Sequence, residues 1–215
     1  MVTAARHLTK TELALQELRE RIRSGQLRPG QRLRVEELTR ELGMSPTPIR
    51  EALRILQADR LVDYRAHREI VVTELSPAQM GEIFRLRGVL EPLAVELAVP
   101  SISAEKLAQL ERLHRQYAAA ASSKRGTAVA KQNSAWHWAI YESSGSPMLN
   151  DFIRRLWEAF PWRTIWAVPG RVELSLHQHE DIMEAIRAWD GASAAERMRI
   201  HIASGQGMLG EHSLG

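Results

Sequence analysis

Three histidines and one asparagine lie at spacings that could form a metal site inside a helical bundle. Asn133 and His137 are four residues apart, so both side chains project from one face of a helix. His179 and His201 each lie on the apolar stripe of a later helix, so both imidazoles are predicted to point inward. Imidazole nitrogens bind Zn²⁺ and similar divalent ions. Single inward histidines are more often hydrogen-bonded core residues, and that alternative stays open at this point.

Arg87 is a second polar residue on a face that is predicted to be buried. It shares a helical stripe with Phe84, Leu90 and Ala94, where a charge needs a partner. The nearest candidate for that partner is Glu91, four residues on, through an intrahelical bond.

The segment SPTPIREAL, which begins at Ser45, places two prolines at the start of a predicted helix. Ser45 is a favoured N-cap residue, Pro46 takes the first helical position, and Pro48 is still in the first turn, where a missing N–H costs little. The exposed end would present the hydroxyls of Ser45 and Thr47 and the positive end of the helix dipole, with Arg50 one turn further on. These groups suit a helix whose N-terminal end enters the major groove of DNA. On this segment alone, an ordinary capped helix with a surface arginine is an equal alternative.

The elements around these residues form two groups. Before residue 76, three helices and a short β-hairpin over residues 61–75 predict a winged helix-turn-helix. After it, about six helical segments with short connections predict an all-α antiparallel bundle. We therefore expect a mainly α protein with a DNA-binding domain over residues 1–75 and a helical bundle over residues 76–215.

Composition and charge agree with a DNA-binding protein of the cytoplasm. The 215 residues contain no cysteine, which excludes disulfides, thiolate metal sites and cysteine nucleophiles. The charged N-terminus and the absence of a long apolar run argue against a signal peptide and a membrane span. The net charge of +3 comes from residues 1–75, where 13 of the 14 basic residues are arginine. Arginine suits phosphates and base edges, so nucleic acid is the expected partner.

The N-terminal pattern resembles the GntR family of bacterial transcription regulators. The matching pieces are GxLxPGxxL at residues 25–33, ELxxxLGMS at 37–45 and TPIREAL at 47–53. The resemblance implies a winged helix that binds double-stranded operator DNA as a homodimer. The DNA-binding residues that we expect on this basis are Arg34, Ser45, Thr47 and Arg50, with His67 and Arg68 at the wing tip.

The chain departs from the family's pattern at three positions, one of which is the missing glycine before Leu61, and the other two bear on DNA binding. Many members have arginine where Pro46 stands, and that arginine commonly contacts a base. The wing commonly has glycine where Glu69 stands. The first departure leaves DNA binding to Arg50, Thr47 and the wing, and the second puts an acidic side chain near phosphates unless it points away.

The C-terminal pattern resembles the FCD ligand-binding domain, which defines the FadR-type branch of that family. The matching pieces are EIFRLRGVLEPLAVELA at residues 82–98, NSAWH at 133–137, ESSGSPML at 142–149, HEDIMEAI at 179–186 and MRIH at 198–201. In that branch, one acidic or amide residue and three histidines hold a divalent metal, at the positions of Asn133, His137, His179 and His201. The matching arginine, here Arg87, often meets an effector carboxylate.

The resemblance therefore implies a Zn²⁺-, Ni²⁺- or Mn²⁺-like ion and a small organic acid, such as a sugar acid or hydroxy acid. The acid would bind near Arg87 and the four metal-site residues. Many relatives have aspartate at the position of Asn133, and a neutral amide is a weaker ligand, so we expect a lower metal affinity here.

The function that follows is a ligand-responsive transcription regulator, expected to be a repressor and not an enzyme. One alternative is a metal-dependent enzyme with a DNA-binding appendage. Against it, Glu142 and Glu180, which lie near the histidines in sequence, do not have the spacing of a general base. The other alternative is a constitutive DNA-binding protein whose bundle only dimerises.

Overall fold

A computed structural model of the chain describes residues 8–65, 69–122, 126–160 and 162–213. The chain divides into two compact units, Met1–Ser76 and Pro77–Gly215. The mainly α fold predicted from the sequence is confirmed, with a small antiparallel sheet in the first unit and a helical second unit. Within the described part of the chain, no helix is long and apolar enough to cross a membrane.

The first unit contains three helices and three short strands. In chain order they are α1 Lys10–Arg23, β1 Arg32–Leu33, α2 Val35–Leu42, α3 Pro46–Ala58, β2 Val62–Tyr64 and β3 Ile70–Val72. The apolar faces of the helices enclose one core with the inner side of the sheet, and α1 packs against α3. The centre of that core is fully buried and includes Leu18, Ile49, Leu53 and Leu56.

The sheet has one more strand than the sequence predicted. The pair β2 and β3 forms the expected hairpin, with Val62 opposite Val72 and Tyr64 opposite Ile70. The additional strand β1 pairs with the other side of β3, so the order is β1-β3-β2. The sequence does not indicate β1 because the strand has only two residues, which is too short to show an alternating pattern.

The turn between α2 and α3 follows from local sequence. Gly43 ends α2 in the left-handed conformation (φ 62°), which glycine adopts without steric cost. Ser45 is the N-cap of α3 by position, with Pro46 following it, as predicted. Its hydroxyl makes no capping hydrogen bond, so it stays available at the exposed end of the helix.

The second unit consists of seven α-helices in the part of the chain that is described. They are α4 Pro77–Ala98, α5 Ala104–Ser122, α6 Gly126–Tyr141, α7 Pro147–Ala159, α8 Trp162–Trp166, α9 Arg171–Arg187 and α10 Gly191–Ser213. The number exceeds the six predicted because α7 and the short α8 are separate helices. The long helix α4 packs against α10, and α10 packs against α9. Helix α5 packs against α6 and α9, and α6 packs against α4. Residues of α4, α6, α9 and α10 can therefore meet inside the bundle.

Candidate functional site

Three helices bring their histidines together inside the second unit. His137 on α6, His179 on α9 and His201 on α10 are buried, and one ring nitrogen of each lies within 4.8 Å of those of the other two. The rings of His137 and His201 are stacked with their centroids 5.3 Å apart. The sequence prediction that these three side chains point into one bundle agrees with this geometry.

All three imidazoles are neutral in this environment. Burial is the largest cause that lowers the pKa of His137, His179 and His201 well below the usual range of histidine. The positive charges of Arg87 and Arg171 lower the pKa of His137 and His201 further. A neutral imidazole has one nitrogen lone pair, which is the form that binds a metal ion.

A hydrogen-bonded chain fixes the tautomer of His137. Tyr141 Oη donates to Glu91 Oε2 at 2.5 Å, and Nδ1 of His137 lies 2.8 Å from the same hydroxyl. Burial, followed by the charge of Glu91, raises the pKa of Tyr141 well above its usual range, so the phenol keeps its proton. The hydroxyl has a single proton, and it uses that proton in the hydrogen bond to Glu91. Nδ1 of His137 must therefore be the donor to Tyr141, so the lone pair of the imidazole is on Nε2.

The other two histidines are also oriented by neighbours. Nδ1 of His201 lies 2.9 Å from Gln178 Oε1, which accepts a hydrogen bond and leaves the lone pair on Nε2. Nε2 of His179 lies 3.4 Å from Ser175 Oγ, and the Trp136 ring stacks on the imidazole at 4.1 Å. Among the described residues, Nδ1 of His179 has no hydrogen-bond partner, so this nitrogen is free for a ligand.

Asn133 supplies an oxygen beside the histidines. It lies one turn before His137 on α6, is buried, and lines the same cavity as His137 and His201. Within the described structure its Oδ1 accepts no hydrogen bond. A buried carbonyl oxygen without a donor is costly, and a cation would satisfy it. The donor set of three imidazoles and one amide oxygen therefore fits a divalent transition metal ion.

The cavity beside the histidines has a space of about 280 Å³, its mouth included. Its apolar wall includes Phe84, Trp162, Trp166, Ile165 and Ile202. Two arginines, one from α4 and one from the start of α9, supply its positive charge. This composition suits a small molecule that has an apolar part and at least one anionic group.

Arg87 reaches this cavity but already has a protein partner. Its Nε donates to Glu91 Oε1 at 2.6 Å and its Nη2 to Glu91 Oε2 at 3.4 Å, which is the intrahelical pair expected from the sequence. Glu91 Oε1 also accepts a hydrogen bond from Trp157 Nε1 at 2.8 Å. An effector carboxylate at Arg87 would therefore have to share the guanidinium with Glu91.

Arg171 is the cavity arginine that the sequence analysis did not identify. It is the first residue of α9, directly after Gly170, and the position does not stand out because arginine is common at exposed helix ends. Burial lowers the pKa of Arg171 to about 10, so the guanidinium still carries its charge at neutral pH. Its Nη1 donates to Ser204 Oγ at 3.3 Å.

In the first unit, the exposed face of α3 presents the side chains that the sequence assigned to DNA. Ser45, Thr47 and Arg50 are exposed, while Pro48 and Ile49 face the core. Arg54 is also exposed and lies one turn beyond Arg50 on this face. The analysis of the sequence did not include Arg54, although its spacing of seven residues from Thr47 was a usable signal.

The other expected DNA contacts are only partly described. Arg34 is exposed just before α2, where its Nη1 lies 3.1 Å from Glu37 Oε1. His67 and Arg68 lie outside the described residues. Glu69, at the edge of the wing, lies 3.3 Å from Arg32 Nε, so an arginine on the neighbouring strand balances its charge.

The comparisons with known proteins agree with both units. The family model described as "Bacterial regulatory proteins, gntR family" matches residues 10–72, and the FCD domain model matches residues 82–204. The chain belongs to the GntR family of bacterial regulators. Its second unit is an FCD domain.

Individual relatives are regulators as well. The HTH-type transcriptional regulator McbR of Escherichia coli is 33% identical over 71% of this chain and 69% of its own length. The HTH-type transcriptional repressor GlaR of the same organism is 32% identical over 86% of this chain and 89% of its own length. The solved structure of E. coli McbR/YncC superposes with a TM-score of 0.87 at 26% identity, covering 96% of this chain and all of that one. The protein is therefore a transcription regulator, and its relatives give no support to an enzyme.

Neither Glu180 nor Glu142, the two candidates for an enzymatic base in the FCD domain, contacts the histidine cluster. Glu180 lies 2.8 Å from His114 Nε2 and 2.6 Å from Arg187 Nη1. Glu142 is exposed in a short 3₁₀ turn. Neither carboxylate takes part in the histidine cluster, and Glu91, the buried carboxylate nearest to it in the hydrogen-bonded chain, is fully used as an acceptor.

Proposed function

We propose that this protein is a homodimeric, ligand-responsive repressor that binds operator DNA through its GntR unit and a small organic acid through its FCD domain. The observation that carries the proposal is the buried cluster of three neutral imidazoles beside a cavity with two arginines. A core that served packing alone would not need unpartnered lone pairs next to a cationic cavity. The repressor function is supported by the name of the relative GlaR.

The metal ligands in this proposal are Asn133, His137, His179 and His201. The fit rests on the free Oδ1 of Asn133, the free Nδ1 of His179 and the Nε2 lone pairs of the other two histidines. A Zn²⁺-, Ni²⁺- or Mn²⁺-like ion held there would supply a Lewis-acidic centre for an anionic oxygen of the effector. The four protein ligands are neutral, so an anion would also balance the charge of the ion.

The effector in this proposal is a small carboxylic acid, such as a hydroxy acid or a sugar acid. Its carboxylate would lie at the histidine cluster and within reach of Arg87, and its remaining atoms would contact the aromatic side of the cavity. The apolar and cationic side chains that line the cavity favour a small acid. If the acid binds one arrangement of the dimer more tightly than the other, it shifts the dimer toward that arrangement. The operator affinity then changes, because the two arrangements bind DNA with different affinities.

A homodimer is supported by an apolar stripe on the outside of α4. Leu86, Val89, Leu93 and Leu97 are exposed at intervals of three and four residues, and Val89 is 66% exposed. Met148 and Phe152 on α7 are exposed as well, and α7 packs against α4. Two-fold symmetric regulators bind two half-sites of DNA, so a second copy of this chain is the partner that we propose for this surface.

The DNA contacts in this proposal come from Ser45, Thr47 and Arg50 at the exposed start of α3, with Arg34 beside them. The two prolines stiffen this end of the helix without removing any hydrogen bond that the helix needs. Since Pro46 offers no polar side chain to a base, Arg50 and Thr47 are expected to carry base recognition.

The proposal is tested by measuring operator affinity under three conditions. Operator fragments are selected from random DNA with the purified full chain, and affinity is measured by fluorescence anisotropy at fixed salt. The protein is used metal-free, loaded with Zn²⁺, and loaded with Zn²⁺ plus lactate or gluconate. We expect an acid to change the operator affinity of the Zn²⁺-loaded protein at least tenfold, and His137→Ala to abolish that change. Sequence-specific binding that no metal or acid alters would instead indicate a constitutive DNA-binding protein.

The contribution of Arg87 is tested by calorimetry. Titration of the same acids into the wild-type protein and Arg87→Ala should show weaker binding in the variant, and Arg85→Ala, on the exposed side of the same helix, serves as the control. Equal affinities in wild type and Arg87→Ala would remove Arg87 from the effector site. A turnover assay on the same acids covers the enzymatic alternative, and measurable turnover that His137→Ala abolishes would contradict the proposal.

A further inference from the structure

The guanidinium of Arg171 is buried, and the described residues supply no counterion for it. Its side chain lines the cavity beside His137 and His201, and the residue is only 3% exposed. Its Nη1 donates a hydrogen bond to Ser204 Oγ, and its Nε has no partner among the described residues. No carboxylate of the described chain forms an ion pair with it. Burying an unpaired charge is costly, so such a group calls for an anion from outside the protein.

The second arginine of the cavity, Arg87, has a counterion within the protein. Arg87 makes two hydrogen bonds to Glu91 and lies over the rings of Phe84, Trp157 and Trp162, at 4.7 to 5.4 Å from their centroids. The pair of Arg87 and Glu91 is neutral overall. Arg171 therefore supplies the uncompensated positive charge of the cavity lining.

The fold makes room for Arg171 at one glycine of α10. A Cβ added at Gly205 would lie 3.0 Å from Ile165 Cδ1 and 3.4 Å from Arg171 Nη2. The contact with Ile165 is closer than most real Cβ contacts, so a side chain at this position would require Ile165 to shift, while the guanidinium would be in direct contact with the new Cβ. At Gly207, two residues later on the same helix, an added Cβ would meet nothing within 4 Å. Gly205 therefore lies directly against the guanidinium of Arg171.

The charges of the site count against an effector with a single carboxylate. This step rests on the proposed function, in which a divalent ion is held by four neutral ligands. That ion and Arg171 together would bring three positive charges to one buried cavity, and a monocarboxylate would balance only one of them. Water cannot screen this excess inside the bundle as it would at the surface.

We propose that Arg171 binds a second acidic group of the effector, so that the preferred ligand is a short dicarboxylic acid whose other carboxylate lies at the histidine cluster. The planar guanidinium, with Nε and one Nη edge available, suits a carboxylate through two parallel hydrogen bonds. Arg171 is then the residue that distinguishes a diacid from a monoacid of the same length.

The test compares succinate with butyrate, which have the same number of carbon atoms. Both are titrated by calorimetry into the full chain loaded with Zn²⁺, and Zn²⁺ affinity is measured separately by competition with a chromogenic chelator. We expect succinate to bind at least tenfold more tightly than butyrate. In Arg171→Gln, succinate affinity should fall to the level of butyrate, while the affinities for butyrate and Zn²⁺ stay unchanged.

A second pair of variants covers the case in which Arg171→Gln does not fold. Gly205→Ala keeps the charge but places a methyl group against the guanidinium and displaces Ile165 beside it, so it should reduce the preference for succinate, and Gly207→Ala should not. A preference for succinate that survives both Arg171→Gln and Gly205→Ala would overturn the proposal, as would equal binding of the two acids to the wild-type protein. Failure of Zn²⁺ or of both acids to bind the wild-type protein would overturn the proposed function together with this inference.

Discussion

Nδ1 of His137 lies 2.8 Å from the hydroxyl oxygen of Tyr141, and that hydroxyl donates its hydrogen bond to Glu91. The carboxylate thus sets the tautomer of a histidine to which it has no direct bond. Arg87 holds the same carboxylate from the other side, so one hydrogen-bonded chain joins an arginine of α4 to a proposed metal ligand of α6. Partners of this kind fix the orientation of metal-binding histidines and tune their affinity.

Removal of the Tyr141 hydroxyl should therefore weaken metal binding. In Tyr141→Phe, His137 loses the acceptor for its Nδ1–H, so the ring is free to rotate or to adopt the other tautomer. We expect the Zn²⁺ affinity to fall by about 10- to 100-fold, as is usual when such a partner is lost. Competition with a chromogenic chelator measures the change.

The matched control for that experiment is Tyr64→Phe, which removes the hydroxyl of a half-exposed tyrosine in β2. It should leave the Zn²⁺ affinity unchanged. If Tyr141→Phe binds Zn²⁺ as tightly as the wild-type protein, the chain from Glu91 to His137 does not orient the ligand.

Asn133→Asp should increase metal affinity and lower the stability of the metal-free protein. The carboxylate places a negative charge where Oδ1 of Asn133 is buried without a donor, which favours a cation by about tenfold or more. Without metal the same charge is buried without a partner, which costs several kcal/mol. Thermal unfolding with EDTA and with excess Zn²⁺ should show a lower Tm than wild type in the first case and a larger metal-dependent rise in the second. An unchanged rise would exclude residue 133 from the site.

The metal-free protein should lose stability as the pH falls below that of an unfolded histidine. The pKa values of His137, His179 and His201 are lowered well below 6.5 in the folded state, so the unfolded state binds more protons in this range. Stability is therefore complete above about pH 6.5 and decreases below it. Each of the three histidines contributes to this loss, which increases as the pH falls from 6.5 to 5.5. His114, whose pKa burial also lowers, adds to the same trend.

Urea unfolding in EDTA at pH 7.5 and 5.5 measures this loss. His179→Gln should reduce it by about a third of the amount due to the three histidines. His177→Gln, on the exposed side of α9, should leave it unchanged. Equal losses in all three proteins would show that the cluster is not the source of the pH dependence.

The sequence predicted the helices and the histidine cluster because both depend on the helical period. When three helices enclose one core, the histidines on their inward faces must approach one another, so the helical period alone predicts the cluster. The strand β1 was missed because two residues cannot show a period. Arg171 was missed for a different reason, since its burial results from contacts with other helices, such as that with Ser204 on α10, and contacts of this kind leave no pattern in the sequence around Arg171.

The apolar stripe on α4 should be required for dimerisation. Val89→Glu places a charge at its most exposed position, and burying that charge against a second copy would weaken the dimer by at least tenfold. Light scattering coupled to size-exclusion chromatography at micromolar concentration should then show a monomer. Leu174→Glu, on the exposed side of α9, is the control and should remain dimeric. A dimeric Val89→Glu protein would place the interface elsewhere.

Arg50 and Arg54 should affect DNA binding in different ways. Arg50 lies near the exposed start of α3, where a side chain reaches base edges, so Arg50→Ala should cost about 1 to 3 kcal/mol and reduce discrimination between operator and random DNA. Arg54 lies one turn further along and is expected to contact phosphate. Arg54→Ala should weaken binding to both DNAs about equally and lower the slope of log affinity against log salt by about 1. Anisotropy titrations at several salt concentrations separate the two effects, with Arg112→Ala, exposed on α5, as the control. If Arg50→Ala leaves operator affinity unchanged at fixed salt, the start of α3 does not recognise the operator.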